Sequence, residues 1–149
     1  MLGAFSNQQE VNFMERPINH DQLFLQQPAQ LATKHDRNIG QDLVDTLNAH
    51  RTECVGMAAN MIGVNKAVII VAVGPLNILM YNPTITKQQN SYHTQEGCLS
   101  LTGERPVTRY KNITVAFTNG QWQKRQQSFS GFTAEIIQHE IDHLHGILI

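Results

Sequence analysis

Residues 133–146 read TAEIIQHEIDHLHG, and this stretch predicts an amphipathic helix. One apolar face at helical spacing is formed by Ile136, Ile137, Ile141 and Leu144. Gly146 suits the position just after a helix, because glycine readily adopts the left-handed conformation found there. We therefore predict a helix over residues 133–145 with one face packed in a core.

The same helix contains two histidines four residues apart. His139 and His143 are separated by slightly more than one turn, so both imidazoles project from one face and can bind one cation. Glu140 lies about 100° round the helix from His139, beside the cation but not among its ligands. The alternative is a polar surface helix, which the flanking isoleucines and leucine disfavour. The pattern therefore predicts a metal site with an adjacent acid/base.

Two histidines leave such a site incomplete, because a catalytic metal usually has three protein ligands and one open position. The third ligand has to be a Cys, His, Asp or Glu elsewhere, and residues 95–100 (QEGCLS) stand out. Gly97 permits a close approach of the backbone, and Cys98 can supply a thiolate. The alternative interpretation of Cys98 is a buried core cysteine. A Cys and two His would favour Fe(II), Zn(II), Co(II) or Ni(II) over Mg(II) and Ca(II).

The remaining pattern predicts an α+β fold with antiparallel strands. Ile39, Leu43 and Leu47 recur every four residues and predict an N-terminal helix over residues 38–50. Strands are predicted at residues 66–73, 78–81, 107–117 and 121–129. We expect Asn82-Pro83 to end the second strand and Asn119-Gly120 to form a hairpin turn between the last two strands.

The overall composition is that of a globular protein. The chain has 149 residues, 41% of them hydrophobic and 15% charged, which suits one domain over residues 1–149. Residues 1–15 are polar, and we interpret them as a mobile leader. A formal net charge of -1 gives no signal for nucleic-acid binding, and no apolar stretch is long enough to span a membrane. Two cysteines and no visible secretory signal favour a reduced, cytoplasmic location.

Three segments together resemble the signature motifs of peptide deformylases. Residues 96–100 (EGCLS) look like the second signature, and residues 138–144 (QHEIDHL) look like the third. Residues 54–61 (CVGMAANM) look like an altered form of the first signature, Gly-x-Gly-x-Ala-Ala-x-Gln. The three occur in the family's order and at roughly its spacing. The resemblance extends from about residue 42 to residue 149.

The resemblance implies a fold in which the third-motif helix is central and is packed between antiparallel sheets. It also implies one divalent metal, with Fe(II) as the expected native ion and Zn(II), Ni(II) or Co(II) as alternatives. The implied reaction is removal of the formyl group from N-formyl-methionyl ends of nascent chains, near the ribosome.

The resemblance also assigns roles to individual residues. The metal ligands would be Cys98, His139 and His143, and Glu140 would be the acid/base. The backbone N–H of Leu99 would stabilise the oxyanion, and the backbone of Gly56 would contact the peptide. The methionine pocket would be lined by Val55 and Ile136, and a structural ion pair would join Glu96 to Arg109.

The first motif differs from the family at two positions. Met61 replaces the glutamine whose amide donates to the oxyanion, and a missing donor of this kind costs about 3 kcal/mol, or a hundred- to a thousand-fold in rate. Asn60 is adjacent, but we expect its side chain to point elsewhere. Cys54 replaces a glycine. One alternative is therefore a homologue that binds metal and peptide with weak or no turnover, and another is a zincin-type protease, which the context of Cys98 disfavours.

Overall fold

The computed structural model describes residues 15–149, so the predicted leader lies outside the described residues except for Glu15. The helices in this range are α1 (Gln22–Leu25), α2 (Arg37–Ala49) and α3 (Gly131–Leu144), with 3-10 helices at Lys34–Asp36 and Ala59–Ile62. The strands are β1 (Gly56–Ala58), β2 (Val68–Val73), β3 (Leu76–Cys98), β4 (Leu101–Thr118) and β5 (Lys124–Ser130). That residues 1–149 form a single domain stays a prediction.

The five strands form one antiparallel sheet in the order β1-β2-β3-β4-β5. Helix α3 packs against β1, β2, β4 and β5. It therefore contacts both edge strands of the sheet, β1 and β5. The pairing of β3 with β4 shifts register at three places, and such bulges bend strands. The predicted α+β fold with a central C-terminal helix is confirmed, although the strands join in one continuous sheet.

Strand β2 is buried on both faces, which explains its unbroken apolar sequence. Ile69 belongs to the hydrophobic cluster that contains Ile137 of α3, and Ile70 belongs to the cluster that contains Leu43 of α2. All four side chains have 0% exposure. Each such burial contributes about 1.5–3 kcal/mol, so the two helices are held on opposite faces of the same strand.

The prediction that a strand ends at Asn82-Pro83 is wrong, because β3 continues through this pair. Asn82 has φ +52° and stands where the pairing with β4 shifts register. Its side-chain amide accepts a hydrogen bond from the backbone N–H of Ala32 at 2.8 Å and donates to the Ala32 carbonyl at 2.9 Å. These tertiary bonds hold a bulge in place of the expected turn.

The hairpin predicted at Asn119-Gly120 is present between β4 and β5, but its loop is longer than a two-residue turn. The Asn119 side chain accepts hydrogen bonds from the backbone N–H groups of Gln121 and Gln123, at 3.1 and 2.9 Å. The residue with positive φ is Trp122, at +63°, and not Gly120. The asparagine side chain therefore organises this loop.

Both predicted helices lie within two residues of their expected bounds, as α2 and α3. Gln138 fixes α3 to β4, because its side chain accepts from the backbone N–H of Tyr110 and donates to the Tyr110 carbonyl, each at 2.8 Å.

Within residues 15–149, no helix combines the length and apolar character that a bilayer crossing requires.

Candidate metal centre and its cavity

Helix α3 brings the two predicted histidine ligands together in the core. The Nε2 atoms of His139 and His143 are 3.1 Å apart. His143 is fully buried and His139 is 7% exposed. Burial, with the nearby His139, lowers the pKa of His143 to about 3, so this imidazole is neutral and has a lone pair available for a metal. The helical spacing therefore produces two converging nitrogen ligands.

Cys98 completes the group from the end of β3. A tight turn joins it to β4, and its Sγ accepts a hydrogen bond from the backbone N–H of Ser100 at 3.4 Å. One ligand atom from each of Cys98, His139 and His143 lies within 4.8 Å of the others. Metal bonds of about 2.0–2.3 Å to nitrogen and sulfur match such a group, so these residues fit one transition metal. The three predicted ligands are therefore brought together.

A buried ion pair orients His139. The Nδ1 atom of His139 lies 2.8 Å from Oε1 of Glu96, so a proton on Nδ1 points to the carboxylate, and Nε2 would be the atom that binds a metal. Arg109 donates to Glu96 from Nη2 at 2.7 Å and from Nε at 3.0 Å. Burial opposes the ionisation of Glu96, but hydrogen bonds from His139 and Arg109 outweigh it and lower the pKa to about 2. The expected pair of Glu96 and Arg109 is present.

Asp142 is a member of this network that sequence reasoning missed. It accepts a hydrogen bond from Nη1 of Arg109 at 2.6 Å, so one guanidinium joins Glu96 to the metal-site helix. Sequence reasoning missed it because the contact is long-range: nothing local indicates that Arg109 of β4 lies opposite the last turn of α3.

Glu140 is buried beside the ligands, with 4% exposure. Burial raises the pKa of its carboxyl to about 7. Its Oε1 has no hydrogen-bond partner among the described residues. A Cβ on Gly56 would lie 3.0 Å from Oε2 of Glu140 and 2.7 Å from Cγ2 of Ile136, so any larger residue would require Ile136 to shift. The backbone of β1 therefore lies directly against the face of α3 that bears Glu140.

A cavity of about 570 Å³ opens onto this group. Seven of the eight site residues expected from the sequence line it: Val55, Gly56, Cys98, Leu99, Ile136, His139 and Glu140. His143 is the exception and lies behind them, fully buried. The cavity has room for a peptide end. The surface of its lining is mainly apolar around the ligand residues and Glu140.

The 3-10 helix of residues 59–62 carries one departure from the family, at Met61. Met61 lines the cavity, and its Sδ accepts a hydrogen bond from the backbone N–H of Ala58 at 3.5 Å. Asn60 donates to the backbone carbonyl of His143 at 2.9 Å, so its amide points to α3, as expected. Asn60 is thus a structural partner of the ligand helix, which sequence reasoning did not find.

Cys54 also lines the cavity. Its thiol donates to the carbonyl of Gly56 at 2.7 Å, and burial raises its pKa to about 12. The thiol is therefore protonated at neutral pH, and it does not belong to the group of three converging ligand atoms.

Comparisons of sequence match a single family. A profile of the polypeptide deformylase family matches residues 17–149. A peptide deformylase of Clostridium beijerinckii is 49% identical over 136 residues, which cover 91% of this chain and 100% of that protein. A peptide deformylase of Carboxydothermus hydrogenoformans is 39% identical over 109 residues, covering 72% of this chain and 70% of that protein.

Solved structures give the same result. A class I type b peptide deformylase from Acinetobacter baumannii with Met-Ala-Ser bound superposes with a TM-score of 0.82 at 28% identity, covering 91% of this chain and 97% of that chain. A peptide deformylase from Synechococcus elongatus in complex with actinonin has a TM-score of 0.80 at 27% identity, covering 90% of this chain and 75% of that chain.

Proposed function

Because the chain belongs to the polypeptide deformylase family, we infer that it is a metal-dependent hydrolase that removes the formyl group from N-formyl-methionyl peptide ends. The observation that supports this most is the convergence of Cys98, His139 and His143 beside a buried carboxylate with an unpartnered oxygen. That arrangement opens onto a cavity large enough for a peptide end.

The proposed ligands are Cys98, His139 and His143, which would hold one divalent ion. When bound, the ion would act as a Lewis acid on the formyl carbonyl and lower the pKa of water. A thiolate with two imidazoles favours Fe(II), Zn(II), Co(II) or Ni(II), and we propose Fe(II) as the native ion. Glu96 would hold His139 in the tautomer that leaves Nε2 free for the ion.

Glu140 is the proposed acid/base. With a pKa of about 7, its carboxyl is present in both protonation states near neutral pH. Glu140 would accept a proton from the attacking water and then donate it to the leaving amine, giving formate and a free N-terminus. One carboxylate serves both steps, because the proton gained in the first is released in the second.

The substrate contacts are proposed for the cavity lining. The backbone N–H of Leu99 would donate to the oxyanion, and the Gly56 backbone would bind the peptide. Val55 and Ile136 would contact the methionine side chain. Met61 has no donor, so we expect turnover below that of a homologue with glutamine at this position.

We further propose that the chain, as a single domain, acts on nascent chains near the ribosome in the cytoplasm, because its substrate is found at the start of new polypeptides.

The test is formate release from a formyl-Met-Ala-Ser peptide by protein loaded with Fe(II) under anaerobic conditions. We expect turnover that is lost in Glu140→Gln while the metal content stays the same. A wild-type protein that holds one metal per chain and binds the peptide but releases no formate would support the alternative, a metal- and peptide-binding module favoured by Met61.

A further inference from the structure

Residues 15–21 form no helix or strand, yet this segment is attached to the fold at both ends. Near its start, the guanidinium of Arg16 donates to the carboxylate of Asp42 on α2, from Nη2 at 2.8 Å. At its end, the side chain of Asp21 caps α1 by accepting hydrogen bonds from two backbone N–H groups of that helix. These two attachments restrain the residues between them.

Asn19, within this segment, binds the 3-10 helix that carries Met61. Its backbone N–H donates to the carbonyl of Met61 at 2.6 Å, and its side-chain Nδ2 donates to the carbonyl of Asn60 at 3.2 Å. Two bonds from one residue fix both the distance and the orientation of the helix relative to the segment. Met61 lines the cavity where the family has its amide donor.

His20, the next residue, binds the β3–β4 turn (residues 99–100). Its Nδ1 lies 3.1 Å from the backbone carbonyl oxygen of Ser100, and a carbonyl oxygen only accepts, so Nδ1 is the donor. Ser100 is 3% exposed, and its own backbone N–H donates to Sγ of Cys98 at 3.4 Å. An exposed imidazole is therefore connected through one buried residue to a proposed metal ligand.

Asn19 and His20 thus join the two chain segments that flank the proposed oxyanion position. Because consecutive Cα atoms are about 3.8 Å apart, bonds from neighbouring residues restrict the separation of these segments. Met61 has no donor, so the oxyanion would depend on the backbone N–H of Leu99. A shift of the turn that carries Leu99 would therefore not be compensated from the side of Met61.

We propose that His20 is a positioning residue for deformylation, which holds the β3–β4 turn where the backbone N–H of Leu99 meets the oxyanion. The inference rests on the proposed function. Because the oxyanion forms only after attack, loss of the contact should lower kcat and leave KM nearly unchanged. Small displacements of a reacting group are costly, and a lost donor costs more, so we expect a fall of about ten-fold.

The test compares His20→Leu with His20→Asn in formate release from formyl-Met-Ala-Ser. The two side chains have similar shapes, but only asparagine has a donor attached to Cγ, as Nδ1 is in histidine, so it can bind the carbonyl of Ser100. We expect kcat to fall in His20→Leu and to be restored in His20→Asn. His35→Ala removes another exposed histidine and should leave kcat unchanged. All variants are assayed well below the melting temperature of the least stable one.

The Co(II)-loaded protein provides a readout that does not require turnover. Its visible and near-ultraviolet absorption depends on the arrangement of the ligand field and on the bond to the Cys98 thiolate. If His20 holds the turn through Ser100, this spectrum should change in His20→Leu and match that of the wild type in His20→Asn. A residue that only stabilises the fold would change the melting temperature and leave the spectrum as it is.

A kcat in His20→Leu equal to that of the wild type would overturn the inference. So would an equal fall in both variants, or a loss of kcat/KM that lies in KM alone. A wild-type protein that releases no formate would contradict the proposed function separately. In that case the Co(II) spectra still decide the question: a change in His20→Leu that is absent in His20→Asn supports the inference, and any other pattern refutes it.

Discussion

The cavity has two sides that differ in how their polar groups are supported. On the helix side, formed by residues 139–143 of α3, His139, Glu140 and His143 are buried, and neighbouring residues fix the ring of His139 and the backbone of the helix. Glu96 holds His139, Gln138 ties the helix to β4, and Asn60 binds the carbonyl of His143. On the strand side, formed by residues 54–61, a thioether and a protonated thiol face the same space.

This difference separates metal binding from transition-state stabilisation. The helix side contributes two of the three proposed metal ligands and the proposed acid/base. The strand side lacks the amide donor that an oxyanion requires, because Met61 has only a thioether and the amide of Asn60 is directed away. We therefore expect mutations on the helix side to remove function and a mutation on the strand side to increase it.

The largest effect is expected when a ligand is removed. His143→Ala should abolish tight metal binding, because two remaining ligands do not hold a catalytic ion. The measurement is metal content per chain after gel filtration. His145→Ala is the matched control, since His145 lies two residues further on and is exposed. Retention of one metal per chain in His143→Ala would contradict the assigned ligand set.

The next effect concerns the acid/base. Glu140→Gln keeps the shape of the side chain but cannot accept a proton, so we expect kcat to fall by about 10²- to 10⁴-fold with the metal retained. Metal content and formate release are measured on the same preparation. Undiminished turnover would mean that another group is the base.

The role of the strand side can be tested by restoring the side-chain amide that the family has at position 61. Met61→Gln should raise kcat by about ten- to a thousand-fold and leave KM nearly unchanged, because the oxyanion forms only after attack. Met61→Leu is the control, with similar volume and no donor. An equal rate in wild type and Met61→Gln would show that another donor already fills this role.

A smaller effect is expected from a change at Glu96, the carboxylate that contacts Nδ1 of His139. Glu96→Gln removes the carboxylate that fixes the imidazole, so metal affinity should fall by about ten- to a hundred-fold. Competition with a chelator measures this affinity. Asp142→Asn is the control, because Asp142 contacts Arg109 but not His139. If both variants lose affinity equally, the ion pair as a whole, and not the contact to His139, determines the affinity.

The sequence predicts the helix side better than the strand side, for a physical reason. The positions of His139, Glu140 and His143 follow from one local period, and their apolar neighbours indicate which face is buried. The β3–β4 connection that presents Cys98 was found only because its motif is distinctive. Contacts such as Tyr92 with Glu135 join residues 43 apart in sequence, and no local pattern encodes them.

The bulge at Asn82 shows the same limit for the fold. Asn-Pro is a local turn signal, yet the chain continues as a strand because the asparagine amide binds the backbone of Ala32, 50 residues earlier. Such a bond depends on the completed fold. The pair therefore marks a backbone irregularity, and the prediction that it ends the strand is wrong.

The placement of the ligands on two distant elements links metal binding to folding stability. Cys98 ends β3, while His139 lies on α3, 41 residues later (139 − 98), so an ion held by both would close a long loop, much as a cross-link does. An ion that binds only the folded chain stabilises it by mass action. A chelator should therefore lower the melting temperature as well as remove the proposed activity, and the lifetime of the folded protein would depend on metal supply.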